Sequence, residues 1–192
     1  MDESELIQRG QQGDVNSFNK LVGLYQRQVY NLALRMLGNI PNAEDVTQDA
    51  FIAAWKGIRS FKGGNFRAWL LRIAANACRD QLRKLKRDPE LSLEASFPNL
   101  SQIASTKSAE EAVINEELAD EIQKGLAALP WEQRLAVILC DIEGLSYKEI
   151  SQVMHCSLGT VRSRLSRGRT LLRDYLVRRE LFTPKSRFIK KE

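Results

Sequence analysis

"GLSYKEISQVMHCSLGTVRSRLSRGR", residues 144–169, contains two helix starts separated by one tight turn. Ser146 is followed three positions later by Glu149, the pattern in which a hydroxyl and a carboxylate satisfy each other's helix-terminal N–H groups, so a short helix is predicted over Tyr147–Met154. His155-Cys156-Ser157 makes the turn. Beyond it Val161, Leu165, Gly168, Leu172, Tyr175 and Leu176 fall on one side of a second helix, and Arg162, Ser163, Ser166, Arg167, Thr170 and Arg173 fall opposite. Glycine inside a helix costs about 1 kcal/mol against alanine, so Gly168 on the buried side predicts the close approach of another backbone. A capped short helix, a turn and a second helix with a basic, small-polar face form the helix-turn-helix pattern, whose second helix enters the major groove of DNA. Arginine binds guanine edges bidentately or grips phosphates, and serine lets the backbone come near. Residues 156–169 hold four arginines and no acid. A merely solvated helix face would interleave glutamates for stabilising pairs, and none occurs before Asp174.

Composition agrees through its distribution rather than its total. A net charge of +5 permits a nucleic-acid partner without requiring one. Residues 59–87 carry nine basic side chains against Asp80 alone, and residues 160–179 carry seven against Asp174 alone. Residues 88–121 reverse the sign, with nine acids against Lys107. No apolar run approaches the ~20 residues needed to cross a bilayer, and the acidic start MDESELIQRG does not read as a secretory signal. A cytoplasmic protein with no membrane insertion is expected. Cys78, Cys140 and Cys156 are far apart without CxxC spacing, which predicts buried, reduced thiols. His155-Cys156 offers two metal ligands and no second pair, so neither a metal nor another cofactor is expected.

Strand signals are almost absent, and an all-α fold follows. Apolar residues recur at helical spacing from Phe18 to Leu37, and Gly38-Asn39-Ile40-Pro41 breaks that helix. Another is predicted from Asn42, with Asp45 three residues on, to about Ile58. A third runs from Phe66 to about Leu85, capped by Asn65 after the Lys62-Gly63-Gly64 loop. Residues 88–108 lack a period and are rich in Ser, Pro and Asn, which reads as a flexible acidic linker. Helical pattern resumes near Ala109 and runs through Leu129. Pro130 fits the first turn of the next helix, which reaches about Cys140. The architecture is two small helical domains, 1–87 and 109–180, joined by that linker and followed by a basic tail, 181–192.

The helix from Phe66 carries an outward stripe of Arg72, Asn76, Arg79, Asp80, Arg83 and Arg87, with amides and carboxylates for base edges and arginines for phosphates. One chain would thus meet DNA at two separated places. At this point the sequence resembles the extracytoplasmic-function sigma factors, the smallest members of the bacterial sigma-70 family, over nearly its whole length. "AEDVTQDAFIAAW" is similar to the helix that docks on the clamp helices of core RNA polymerase. "SFKGGNFRAWLLRIAANACRDQLRK" is similar to the loop and helix that read the −10 element, and the stretch from Leu129 to Leu172 resembles the region that reads the −35 element. The resemblance implies polymerase contacts at Asp45, Gln48 and Asp49. It implies capture of a flipped −10 base by Phe61, the Lys62–Asn65 loop and Asn76, with Arg72, Arg79, Asp80 and Arg83 along the same DNA, and −35 contacts at Thr160, Arg162, Ser163, Ser166 and Arg167. It further implies promoter DNA, core polymerase and an anti-sigma factor, soluble or membrane-anchored, as partners. The protein itself would not be an enzyme. Against it stands a stand-alone helix-turn-helix regulator, which would need a sensor or dimerisation domain in residues 1–87, where only helices are read. A nucleic-acid enzyme would need a metal site or an acid–base constellation, and neither is legible.

Overall fold

The computed structural model describes residues 2–87 and 109–179, which form helices joined by short turns and loops, without a strand among them. The expected linker, 88–108, and tail, 181–192, lie outside the described residues. The N-terminal half comprises α1 (Glu3–Gln11), α2 (Val15–Leu37), α3 (Ile40–Gly57), a 3-10 turn (Ile58–Ser60) and α4 (Phe66–Arg87). The C-terminal half comprises α5 (Ala109–Ala128), α6 (Trp131–Val137), which loosens into a π turn (Ile138–Ile142), then α7 (Tyr147–Met154) and α8 (Leu158–Arg178).

Helices α2, α3 and α4 close around Val29, Leu32, Met36, Ala50, Ala54, Leu70, Leu71 and Ala74, all buried at three- and four-residue spacings. The small residues on α3 let α2 and α4 approach it. Helix α1 was not legible as part of this bundle, because its sequence is mostly polar. Asp2 starts it by accepting the Glu3 N–H at 2.7 Å, Glu3 and Glu5 oppose the positive helix end, and Leu6 is buried against α2. Helix α3 also begins earlier than its sequence suggests. Asn39, not Asn42, is the cap, accepting the Asn42 N–H at 2.9 Å. Pro41 sits in the first turn, where its missing N–H leaves no bond unmade. Asp45 lies beyond that turn and has no capping role.

The C-terminal half follows its predicted signals closely. Ser146 and Glu149 form the reciprocal capping box, with the Ser146 N–H donating to Glu149 at 2.8 Å. His155 ends α7 in the left-handed region at φ 50°, and Ser157 caps α8. Pro130 is the N-cap of α6 rather than a first-turn residue. Gly168 is where α8 meets α6: a Cβ there would stand 2.8 Å from Val137 Cγ2 and 3.0 Å from the Gln133 carbonyl oxygen. Of the three cysteines only Cys78 is buried, and burial pushes its thiol up to about 12; Cys140 and Cys156 are half-buried.

The halves pack on each other, α7 against α4 and α5 against α2. The carbonyls of Arg35 and Met36, near the end of α2, accept from Gln123 Nε2 at 3.0 Å and Arg134 Nη1 at 2.8 Å. Arg134 also donates to the carbonyls of Ala127 and Leu129, fixing the α5–α6 corner against α2.

One substitution should have opposite signs at two glycines. Gly23 on α2 has nothing within 4 Å of its would-be Cβ, so Gly23→Ala should stabilise the protein by about 1 kcal/mol. Gly168→Ala should destabilise it, because overpacking costs about 1–3 kcal/mol and offsets the propensity gain. Urea denaturation of both variants checks this.

Candidate nucleic-acid and polymerase interfaces

Helix α8 presents the face expected of a groove reader. Val161, Leu165, Gly168 and Leu176 are buried, while Arg162, Ser163, Ser166 and Arg167 are exposed or half-exposed on the opposite side. Thr160 is half-buried and serves the helix start: its N–H donates to Ser157 Oγ at 3.1 Å, and its hydroxyl lies 2.9 Å from the same oxygen. The four arginines of the stretch separate in space. Arg169 makes paired hydrogen bonds to Asp141 at 2.6 and 3.0 Å, which raise its pKa further, and Arg164 lines a hollow between the two halves. Arg162 and Arg167 carry no ion pair among the described residues and are the two left facing outward.

The second basic element is built on the N-terminus of α4. Asn65 caps it, accepting the Ala68 N–H at 2.9 Å, so its amide nitrogen is left to donate outward. Phe61, Lys62, Asn65, Trp69 and Arg72 line a cavity of about 430 Å³. Phe61 packs against Phe66 and Trp69 with ring centroids 5.5 and 5.3 Å apart, and Tyr25 joins through Phe66. Trp69 therefore belongs with Phe61, Phe66 and Tyr25 to a cluster of four aromatic side chains, of which it and Phe61 border the cavity. Gln11 Nε2 holds the loop from behind, donating to the Phe61 carbonyl at 2.7 Å. Asn76 does not reach this cavity. It lies one turn further along α4 with Arg79, in a neighbouring hollow of about 100 Å³. Asp80 and Arg83 are exposed and pair with each other at 3.7 Å.

Asp45, Gln48 and Asp49 share the outer face of α3. Gln48 alone of the three lines a groove of about 550 Å³ between α2 and α3, whose walls include Phe18, Val22, Phe51, Ile52 and Trp55. Val15 and Ile52 at its mouth are 55% and 45% exposed. The apolar groove was not read from sequence, because Phe18 and Val22 carry the same periodicity whether they close a core or line a furrow.

Beyond these three surfaces, α7 brings an acid to α4. Glu149 Oε1 accepts from Asn65 Nδ2 at 2.9 Å, and hydrogen bonds from Ser146 first, then from Asn65, hold its carboxyl below the usual range. Arg72 Nη1 lies 2.5 Å from His155 Nε2, and Arg67 Nη2 donates to the Glu143 carbonyl at 2.8 Å.

Comparison with known proteins matches residues 21–88 to sigma-70 region 2 and residues 119–172 to sigma-70 region 4. The ECF RNA polymerase sigma factor SigE of Mycolicibacterium smegmatis is 39% identical over 178 residues, covering 92% of this chain and 68% of the relative. The ECF sigma factor SigW of Bacillus subtilis is 39% identical over 176 residues, covering 88% and 94%. Among solved structures, the sigma factor RpoE of Bartonella quintana in complex with the anti-sigma factor NepR matches with a TM-score of 0.66 and 29% identity, over 85% of this chain and 98% of that one.

Asn65 has separable duties. Asn65→Ser should keep stability near that of the parent, since serine caps as well as asparagine, whereas Asn65→Ala should lose about 0.5–2 kcal/mol of unfolding free energy. Thermal and urea denaturation of the pair distinguishes cap from donor.

Proposed function

The chain belongs to the extracytoplasmic-function branch of the sigma-70 family, and from that premise we propose how its surfaces divide the work of starting transcription. It is a sigma factor: it binds core RNA polymerase and directs initiation at promoters, with no need for the stand-alone regulator reading. The observation that supports a division of labour is spatial. The apolar groove at Gln48 and the cavity at Phe61 share no lining residue, and the outward face of α8 is on a different half of the chain.

Polymerase docks on α3. Asp45, Gln48 and Asp49 supply the polar contacts, and the groove beside Gln48 takes an apolar side chain of the clamp helices. Promoter DNA meets α4 and α8. Lys62, Arg72, Arg79 and Arg83 hold the −10 strand, and Asp80 stands on the same stripe. Phe61 and Asn65, with Asn76 a turn away, border the place where an unstacked base is received. Unstacking costs a few kcal/mol, which stacking and phosphate contacts must return. Arg162, Ser163, Ser166 and Arg167 read the −35 duplex, with Thr160 at the helix start. An anti-sigma factor, soluble or membrane-anchored, is the inhibitory partner. No helix among the described residues is long and apolar enough to cross a membrane, and the protein acts where polymerase is, in the cytoplasm. The bond-forming chemistry belongs to polymerase.

Run-off transcription with purified core polymerase tests this. Arg162→Ala with Arg167→Ala should weaken promoter binding by about 1–3 kcal/mol for each bidentate hydrogen-bond pair to a base that the change removes, and leave polymerase affinity unchanged. Gln48→Ala with Asp49→Ala should do the reverse. Damage to the same step by both pairs would refute the division.

A further inference from the structure

We propose that Gln11 is a positioning residue for capture of the −10 base: from α1, which carries none of the DNA contacts assigned to α4 and α8, it fixes the Phe61 wall of the cavity. The inference rests on the assignment of that cavity to the unstacked base. The Gln11 amide nitrogen donates to the Ile58 carbonyl at 3.1 Å and to the Phe61 carbonyl at 2.7 Å. Since both acceptors are carbonyl oxygens, only the NH2 end of the amide can face them. The two oxygens mark the start and finish of one tight turn, because the Phe61 N–H itself donates to the Ile58 carbonyl at 3.0 Å. One side chain thus ties the end of α3, through the 3-10 turn, to the first residue of the loop. The backbone of α1 is fitted for this reach. Gly10 is buried, and a Cβ there would stand 3.0 Å from Ile58 Cδ1, so α1 lies directly against the turn.

The loop that Gln11 anchors has little else to hold it. Gly63 and Gly64 are exposed at φ 88° and 95°, and beyond their chain neighbours no atom comes within 4 Å of a would-be Cβ at either. Two consecutive glycines with nothing against them leave a backbone many conformations. The loop is therefore fixed at its ends, by Asn65 where it caps α4 and by Gln11 where the chain leaves Phe61. A base stacks only on a ring that stands in its place, and a wall already ordered gives back no binding energy when the base arrives. Arg72, Arg79 and Arg83 stand on α4, outside the loop, and meet phosphates whatever the loop does. The action of Gln11 is thus on the base and not on the strand that carries it.

Holoenzymes of the parent and of Gln11→Ala, Gln11→Glu and Gln11→Lys test it. Fluorescence anisotropy compares a labelled −10 single strand with strands in which each −10 base in turn is abasic. For the parent, one abasic position should weaken binding at least about fivefold, the loss of one stacked base, and that position marks the captured base. Gln11→Ala has no donor, and Gln11→Glu turns a carboxylate toward two carbonyls. In both, the ratio of intact to abasic affinity at that position should fall below about twofold. Affinity for the abasic strand, for a −35 duplex and for core polymerase should remain parental. Gln11→Lys returns a donor of comparable reach and should recover most of the ratio, while its added charge acts on intact and abasic strands alike and cancels. A parental ratio in Gln11→Ala and Gln11→Glu would overturn the positioning role. So would equal losses on intact and abasic strands, which are general damage to the domain, or a Gln11→Lys ratio no better than that of Gln11→Ala. A parent with no abasic-sensitive position would instead refute the assignment of the cavity, and the role of Gln11 with it.

Discussion

The last turn of α2 exposes carbonyl oxygens that no residue of its own helix can reach. Gly38 in the left-handed region turns back to the Leu34 carbonyl at 2.8 Å, and those of Arg35 and Met36 are left to Gln123 and Arg134. Arg134 brings a cation to the negative end of the helix dipole and at the same time ties down the end of α5. Burial lowers its pKa, yet guanidinium remains charged at any physiological pH. From this corner the rest is placed in order. Helix α6 leaves it, meets α8 at Gly168, and α8 together with the π turn positions α7 over α4.

What could be read in the sequence is what is local. Caps work over three or four residues, so Ser146-Glu149 and Asn65 announced themselves, and helical periodicity gave the buried face of α8. Asn39 was hidden by the proline two residues later, which looks like a breaker until the cap explains it. Helix α1 holds few apolar residues and depends on a long-range partner, Leu6 against α2, that no local pattern shows. The same limit applies to the site. Asn76 and Phe61 were grouped by the family resemblance, which carries no distance between a loop and the helix that follows it. Only the rise of α4 places Asn76 one turn beyond the cavity. Packing between the halves joins residues far apart in the chain, such as Asn65 with Glu149, for which spacing carries no signal.

Arginine count is therefore a poor guide to arginine duty. Within one short stretch Arg162 and Arg167 face solvent, Arg164 faces the junction between halves and Arg169 is held by Asp141. The basic charge of the stretch decides that it meets an anion. Which guanidinium does so is decided by where packing points it and by whether an acid stands within reach, as at Arg164 and Arg169.

His155 carries a further meaning. Helix ends of its kind are ordinarily glycine, because a Cβ in the left-handed region is strained. A histidine at φ 50° accepts that strain. Replacement by glycine would relax the turn, yet it would also strip Arg72 of its neighbour. Proteins sit close above the stability they need, and gains of this size are readily available to them. The position thus sets conformational ease against a side chain that reaches across to α4.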